Sequence, residues 1–301
     1  MSNLFVEKII NKVFNLQKTN LNKNNEDLIS IILPSYNYEK YIKQTIKSVL
    51  RQSYTNLELI IIDDASTDNS VSIIKKIQNK NNKIKLIENK KNIGLLQSYK
   101  KALKKTKGKF VAFIDADDYW HPKNLEYKLS ILKNKKEIAL VYSNYSENEK
   151  EIEKKLSLNK IPFYLFKKNN SYFFSIKIFS FSLILTRKEF LKKIDFSLPK
   201  KYDSGTDWWI YSQLSKEGPF AKIPLKLVFK RKHNQQYSKR GFLENYNKFF
   251  SKKNFEFREL LRKRIFKKNI FYFYLFVFYW AINWQIRKII LYFLKKNRWQ
   301  I

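Results

Sequence analysis

From Ile29 onward the chain alternates between short apolar runs and stretches in which apolar residues recur every three or four positions. The run Ile29–Leu33 predicts a strand, halted by Pro34 and by the turn formers Ser35 and Asn37. Ile42, Ile46, Val49 and Leu50 then mark one face of a helix. Leu57–Ile62 predicts the next strand and ends in Asp63-Asp64-Ala65-Ser66-Thr67-Asp68; Val71, Ile74 and Ile77 follow on a second helix, with Asp68 or Ser66 as its N-cap. A third strand is predicted over Ile84–Ile87 and a third helix from Leu95 to Thr106. Gly108 breaks that helix, and Phe110–Ile114 runs as a strand into Asp115-Ala116-Asp117-Asp118. Pro122 opens a fourth helix carrying Leu125, Leu129 and Leu132, and Ile138–Tyr142 is a fifth strand. This alternation predicts an α/β fold built on βαβ units, with a mainly parallel central sheet flanked by helices.

Outside that rhythm the reading is coarser. Leu4, Phe5, Ile9, Ile10, Val13 and Phe14 are spaced as on an amphipathic helix, so residues 1–27 are expected to form a helix and a polar linker. After Ser143 a charged surface excursion is expected to about Lys160. Phe181–Leu185 and Ala221–Phe229 predict strands; Lys188–Ile194 and Thr206–Leu214 predict helices. From Phe242 the pattern is helical, aromatic and basic.

The chain's 301 residues are 44% apolar, enough for one large α/β domain with an appendage. Cysteine is absent, which excludes disulfides, thiolate zinc sites and a cysteine nucleophile. The N-terminus lacks the features of a secretion signal, so a cytosolic active site is the expectation. Lys and Arg outnumber Asp and Glu by 61 to 26. Such a balance suits polyanionic partners. A composition crowded with Lys, Asn, Ile, Phe and Tyr is equally what an A+T-rich genome produces, so the total selects no partner. The placement of the acids is more informative. Asp63-Asp64 and Asp115-Ala116-Asp117-Asp118 each follow directly on an apolar strand. In a parallel sheet the carboxyl ends of the strands form the ligand-binding edge, and carboxylates gathered there need a counter-charge. Hard oxygen ligands suit Mn2+ or Mg2+, which can bridge a diphosphate. Strand termination and helix capping are the competing duties for single aspartates, but three carboxylates in four residues exceed any capping need.

Four blocks, Ile29–Asn37, Asp63–Asp68, Asn92-Ile93-Gly94 and Phe113–Asp118, resemble in order and spacing the family 2 glycosyltransferases of the GT-A fold. The resemblance implies an inverting transfer of a sugar from a nucleotide diphosphate donor, most often a UDP-sugar, to a hydroxyl acceptor in surface polysaccharide biosynthesis. It implies that Pro34, Ser35 and Tyr36 line the nucleotide pocket, that Asp64 accepts a hydrogen bond from the base and that Asp117 approaches the ribose. Asp118, with Asp115, would hold the metal on the diphosphate. Gly94 serves either backbone geometry or binding. Gly205-Thr206-Asp207 matches the segment that carries the family's general base, which assigns that role to Asp207. Trp208 and Trp209 are candidates for a sugar platform or for core packing. In Lys230-Arg231-Lys232-His233, the resemblance brings His233 and Arg231 toward the metal or diphosphate. His121 is expected to be structural.

The resemblance frames a GT-A domain over 28–240 and a C-terminal helical aromatic-basic extension over 241–301. Phe271–Trp284 is nearly all apolar and aromatic, with Lys267-Lys268 before it and Arg287-Lys288 after it. It is shorter than the ~20 residues a spanning helix needs. Either it lies along an anionic membrane surface, which would suit a lipid-linked acceptor at the inner face of the cytoplasmic membrane, or it packs on the domain. The other function classes are a catalytically silent scaffold and a nucleic-acid-binding protein. The second offers no role for the acidic loop, so nucleic acid is not an expected partner.

Overall fold

The computed structural model describes residues 13–18, 27–152, 160–166, 180–198 and 206–234. The predicted C-terminal extension, the first twelve residues and Gly205 lie outside these ranges, as does the side chain of Trp208. Among the described residues ten strands join in one sheet: β1 (Val13–Lys18), β2 (Ile29–Ser35), β3 (Leu57–Asp63), β4 (Ile84–Glu88), β5 (Phe110–Phe113), β6 (Tyr119–Trp120), β7 (Leu140–Ser146), β8 (Lys160–Phe166), β9 (Ile184–Arg187) and β10 (Phe220–Phe229). Their spatial order is β1-β8-β10-β7-β9-β5-β2-β3-β4, with β6 paired to β10.

The stretch β5-β2-β3-β4 is parallel throughout. Its strands are connected by helices α1 (Ile42–Leu50), α2 (Ser70–Gln78) and α3 (Leu95–Leu103), and α4 (Asn124–Asn134) follows β6. Every residue of β3 and β5 is buried, which explains why these strands read as apolar on both faces apart from Glu58 and Asp63 of β3. Ile42, Ile46 and Val49 of α1 and Leu96, Tyr99 and Ala102 of α3 complete the core. The chain goes from β2 outward to β3 and β4, then α3 carries it back to β5 on the other side of β2. The strand order therefore reverses between β2 and β5, which opens a crevice at their carboxyl ends.

The other half of the sheet is mixed. β9 is antiparallel to both β5 and β7, so β7 runs in the direction of β5, and β10 runs parallel to β7. The carboxyl ends of β2, β3, β5, β7 and β10 thus share one rim. β10 accommodates Pro224 where its register against β7 shifts, as a proline inside a sheet requires.

Several elements depart from the sequence reading. Val13 and Phe14, expected on a helix, open strand β1, which pairs with β8. Val-Phe-x-Leu suits a strand period as well as a helical one over so short a window. The expected excursion after Ser143 contains the end of β7, a short helix α5 (Glu149–Ile152) and the start of β8. Ile161 and Phe163 of β8 are buried and alternate as strand residues should, but Pro162 between them masked the signal. Phe181–Leu183 is a 3₁₀ turn, with β9 following it. The Ser180 hydroxyl accepts from the Ser182 N–H and fixes that turn. The predicted helix at Lys188 stops at Leu191 as α6, while α7 (Thr206–Leu214) has the predicted bounds. Neither Asp68 nor Ser66 caps α2; its N-cap is Asn69, without a side-chain bond.

Candidate active site

The loops after β2 and β3 are tied to one another. Asn37 N–H donates to Ser66 Oγ at 2.9 Å and Glu39 N–H to Asp68 Oδ2 at 2.9 Å, while Asn37 Oδ1 accepts from Thr67 N–H at 2.8 Å. Asp68 is therefore spent on bracing the first loop. Asn37 and Ala65 both adopt positive φ, 61° and 66°. For Ala65 that conformation is strained, and it turns the chain sharply directly after Asp64. Pro34 and Ser35 end β2, and Tyr36 beyond them is a large apolar side chain left 37% exposed.

Asp63 is buried and accepts from the N–H and hydroxyl of Ser66. Asp64 faces the loop after β4: its carboxylate accepts from Asn89 Nδ2, Ile93 N–H and Gly94 N–H, each at 2.9 Å. Gly94 has φ 89°, which glycine adopts without strain. The Asn92-Ile93-Gly94 block and Asp64 are thus two halves of one clamp at the carboxyl edge of the sheet.

The loop after β5 carries Asp115, Asp117 and Asp118. The backbone N–H of Asp115 donates to Ser182 Oγ, and its Oδ2 accepts from Ser180 Oγ at 2.7 Å. The 3₁₀ turn thereby props this carboxylate. Asp117 Oδ2 lies 2.9 Å from His233 Nε2, and the His233 ring lies against Tyr41 with centroids 4.6 Å apart. Arg231 Nε donates to the Asp117 carbonyl at 3.2 Å, its Nη2 bonds Gln44 Oε1, and its guanidinium lies 4.9 Å from the centre of the Tyr41 ring. Asp118 is 1% exposed, and neither of its carboxylate oxygens has a hydrogen-bond partner. Lys230 Nζ stands 3.7 Å from Asp118 Oδ2 and 3.8 Å from Asp115 Oδ2.

Strand pairing explains why Lys230 arrives there. β6 directly follows the acidic loop, and it pairs antiparallel with the last residues of β10, Trp120 opposite Val228 and Tyr119 opposite Phe229. The next residue, Lys230, must emerge beside that loop. The lysine and Asp115 are densely surrounded yet keep 21% and 31% of their side-chain surface open to solvent, as groups lining a recess do.

The Asp118 carboxyl is pushed up to about 8, chiefly by burial, with the charges of Asp117 and Asp115 adding to the shift and Lys230 opposing it. The hydroxyl of Ser182 lies close enough to favour the charged form slightly, but not to bond it. Asp207, in the first turn of α7, is likewise pushed up to about 8 by burial and by the charge of Asp115. For Lys230, burial favours the neutral amine, but Asp118, Asp115, Asp117 and Asp207 together outweigh it and hold the pKa above the ordinary lysine value. These shifts place all four acids and the lysine in one electrostatic unit.

The donor set decides what kind of cation fits. Among the described residues no three His, Asp or Glu side chains converge to hold a metal by themselves. Asp118 offers a carboxylate with both oxygens unbonded, and Asp115 stands beside it. That fits Mn2+ or Mg2+ in their usual phosphate-sharing mode, in which one or two carboxylates bind and phosphates and water complete the shell.

The sequence profile described as glycosyl transferase family 2 matches residues 30–195. The chain belongs to this family. Among family 2 relatives, an Escherichia coli protein named UDP-Glc:alpha-D-GlcNAc-diphosphoundecaprenol beta-1,3-glucosyltransferase WfgD is 42% identical over 118 residues, 39% of this chain and 46% of the relative. The chain spans about half the length of several of the curated relatives it matches. Staphylococcus aureus TarS, solved with UDP-GlcNAc, superposes with a TM-score of 0.59 at 22% identity, over 71% of this chain and 61% of that one. The mannosyltransferase PcManGT of Pyrobaculum calidifontis, solved with GDP-Man and Mn2+, gives 0.55 at 17% identity, over 78% and 64%. These likenesses identify the fold as GT-A.

The sequence-selected residues Asp115, Asp117, Asp118, Arg231 and His233 come together around the acidic loop, with Asp207 within electrostatic reach of Asp115 and Lys230. Asp64 stands apart from them on its own clamp. Trp209 is buried, with its Nε1 donating to the Asp195 carbonyl at 2.6 Å, so it packs in the core. His121 is structural, as expected: its Nδ1 accepts from Lys123 N–H. Lys230 was missed. The basic segment was visible in the sequence, but which of its four residues reaches Asp115 and Asp118 depends on the β6–β10 register.

Proposed function

We propose that the chain transfers a sugar from a UDP-sugar to a hydroxyl of a glycan or lipid-linked acceptor, with inversion at the anomeric carbon. The observation that carries this reading is the recess at the β2/β5 switch point, where Asp115, Asp118, Asp207 and Lys230 face one another. The name of the WfgD relative specifies a UDP-sugar donor and a diphospholipid acceptor, and supports the same chemistry here.

In this scheme Pro34, Ser35 and Tyr36 border the nucleotide, with Tyr36 offering a ring face to the base. Asp64 acts on the base end, directly or through the 92–94 loop it holds, and Asp117 approaches the ribose. Asp118 and Asp115 would hold Mn2+ or Mg2+, which when bound offsets charge on the leaving diphosphate. Asp207 takes the proton of the acceptor hydroxyl as that oxygen attacks the anomeric carbon. Its raised pKa suits a base working near neutral pH. Arg231 and His233 brace the acidic loop through Asp117 and are proposed to reach the diphosphate or metal.

The segment 241–301 is proposed to dock on anionic membrane at the cytoplasmic face, where a lipid-linked acceptor would lie. Among the described residues no helix is long and apolar enough to cross a membrane. Flotation with anionic vesicles should carry the intact chain and leave a 1–240 fragment behind.

The central test is a thermal-shift panel of nucleotides with and without Mn2+. A UDP species at a hundred times its dissociation constant should add about 2.7 kcal/mol of stability when metal is present. No shift with any nucleotide and metal would remove the transferase reading.

A further inference from the structure

The scheme above gives Asp118 and Asp115 a cation to hold, yet a cation of the chain's own already stands between them. At 3.7 and 3.8 Å, Lys230 Nζ is beyond the ~2.7–3.2 Å of an N–H···O bond. The ammonium is paired with two carboxylates by charge and fastened to neither. Asp118 is closed to solvent, whereas Lys230 is still reached by it, so an incoming ion meets the lysine before the carboxylate. A divalent cation about 2.1 Å from Asp118 Oδ2 would lie within about 6 Å of Nζ. Two cations so close compete for the same carboxylates, those of Asp118, Asp115, Asp117 and Asp207, and a diphosphate brings the negative charge that lets both stay.

The backbone leaves the lysine side chain free to respond. Its main-chain N–H is bonded to the Ser146 carbonyl at 2.8 Å, and Phe229 is paired with Tyr119. On the other side Arg231 and His233 are both bonded to Asp117. Among these neighbours it is the Lys230 side chain that has charge contacts without hydrogen bonds.

We infer that Lys230 is a stand-in cation: without donor it neutralises Asp115 and Asp118 and denies them to free metal, and it yields Asp118 to a metal arriving on a nucleoside diphosphate, whose phosphates then receive the ammonium. The inference rests on the transferase reading and adds to it a diphosphate-binding residue and an order of arrival.

Mn2+ binding to the intact chain, followed through the paramagnetic resonance signal of free Mn2+ with and without UDP, tests it. The wild type should hold Mn2+ at least tenfold more tightly when UDP is present. Lys230→Met should hold Mn2+ alone at least tenfold more tightly than the wild type and bind UDP with metal more weakly. Lys230→Arg, which keeps the charge, should behave as the wild type does with Mn2+ alone. Melting curves establish that each variant is folded; should Lys230→Met fail to fold, Lys230→Gln takes its place, and the wild-type comparison with and without UDP decides by itself whether metal and nucleotide arrive together. Equal Mn2+ affinity in wild type and neutral variant, or UDP bound by the wild type as well without metal as with it, overturns the inference and leaves the transferase reading standing. No UDP binding by any of the proteins under any condition overturns both.

Discussion

Two buried carboxylates at opposite ends of the same parallel strands have opposite fates. Glu58, at the amino end of β3, is 6% exposed and accepts from Ser30 Oγ at 2.7 Å, Lys85 Nζ at 2.9 Å and Lys107 N–H. Burial pushes its pKa upward, but these donors more than offset it and the value ends below the ordinary one. Asp118, beyond the carboxyl end of β5, is buried more deeply, accepts no hydrogen bond and is pushed up to about 8. A fold able to satisfy one acid fully has left the other unsatisfied on the rim where the strand order reverses. The amino-end rim satisfies its acid within the chain, whereas the carboxyl-end rim leaves its acid without a hydrogen bond, the arrangement on which the proposed metal role rests.

Exchanging the acids one at a time should separate these duties. Asp118→Asn is expected to lower sugar transfer about 10^4-fold, the several kcal/mol that metal-held charge contributes. Its melting temperature should stay level or rise, because a costly buried charge is removed. A melting temperature that falls along with activity would make Asp118 structural. Asp207→Asn should lower kcat about a hundred- to a thousandfold, with donor affinity nearly unchanged. In the wild type the base must be deprotonated, so kcat should rise with pH, reach half its maximum near 8 and level off above that. The variant should lack that limb, and an identical pH profile in both would remove Asp207 as the base.

Effects at the other rim are expected in stability alone. Glu58→Ala strands the Ser30 hydroxyl and the Lys107 N–H, and should cost about 3 kcal/mol in denaturant titration while kcat of the folded fraction is unchanged. Gly108→Ala probes the same corner more gently. An added Cβ would meet the Leu28 carbonyl at 2.5 Å and Ser30 N at 2.6 Å, so a loss of about 2 kcal/mol is expected from the forced backbone shift. Tolerance of both changes would erase the contrast between the rims.

Much of the carboxyl-end rim was legible in the sequence, because parallel buried strands write themselves as apolar runs and the acids follow these runs directly. Asp115, Asp117 and Asp118 could be placed from β5 alone. Asp207 needed the family resemblance, since nothing local distinguishes it from an acid that favours a helix start. Lys230 was illegible because its position is set by a cross-strand register between Tyr119–Trp120 and Val228–Phe229, and one sequence carries no record of such pairing. β8 escaped because Pro162 interrupts its alternation, and β1 because a short apolar cluster suits two periods equally well. The partners of Asp64 were hidden for a related reason: a carboxylate at a strand tip can point to a ligand or to the next loop, and the choice lies with the positive φ of Ala65 and Gly94.

The pairing of β6 with the end of β10 also bears on how such a molecule can diversify. It pins together the two ends of a long excursion, from His121 to Leu227, so the acid loop and Lys230 stay side by side although β7, β8, β9 and the Asp207 helix lie between them in sequence. Added or exchanged chain on the excursion's far side costs little closure entropy and leaves the acid loop and Lys230 in register. Variation in those outer segments would leave the β6–β10 pairing, and with it the meeting of Lys230 and the acid loop, unchanged.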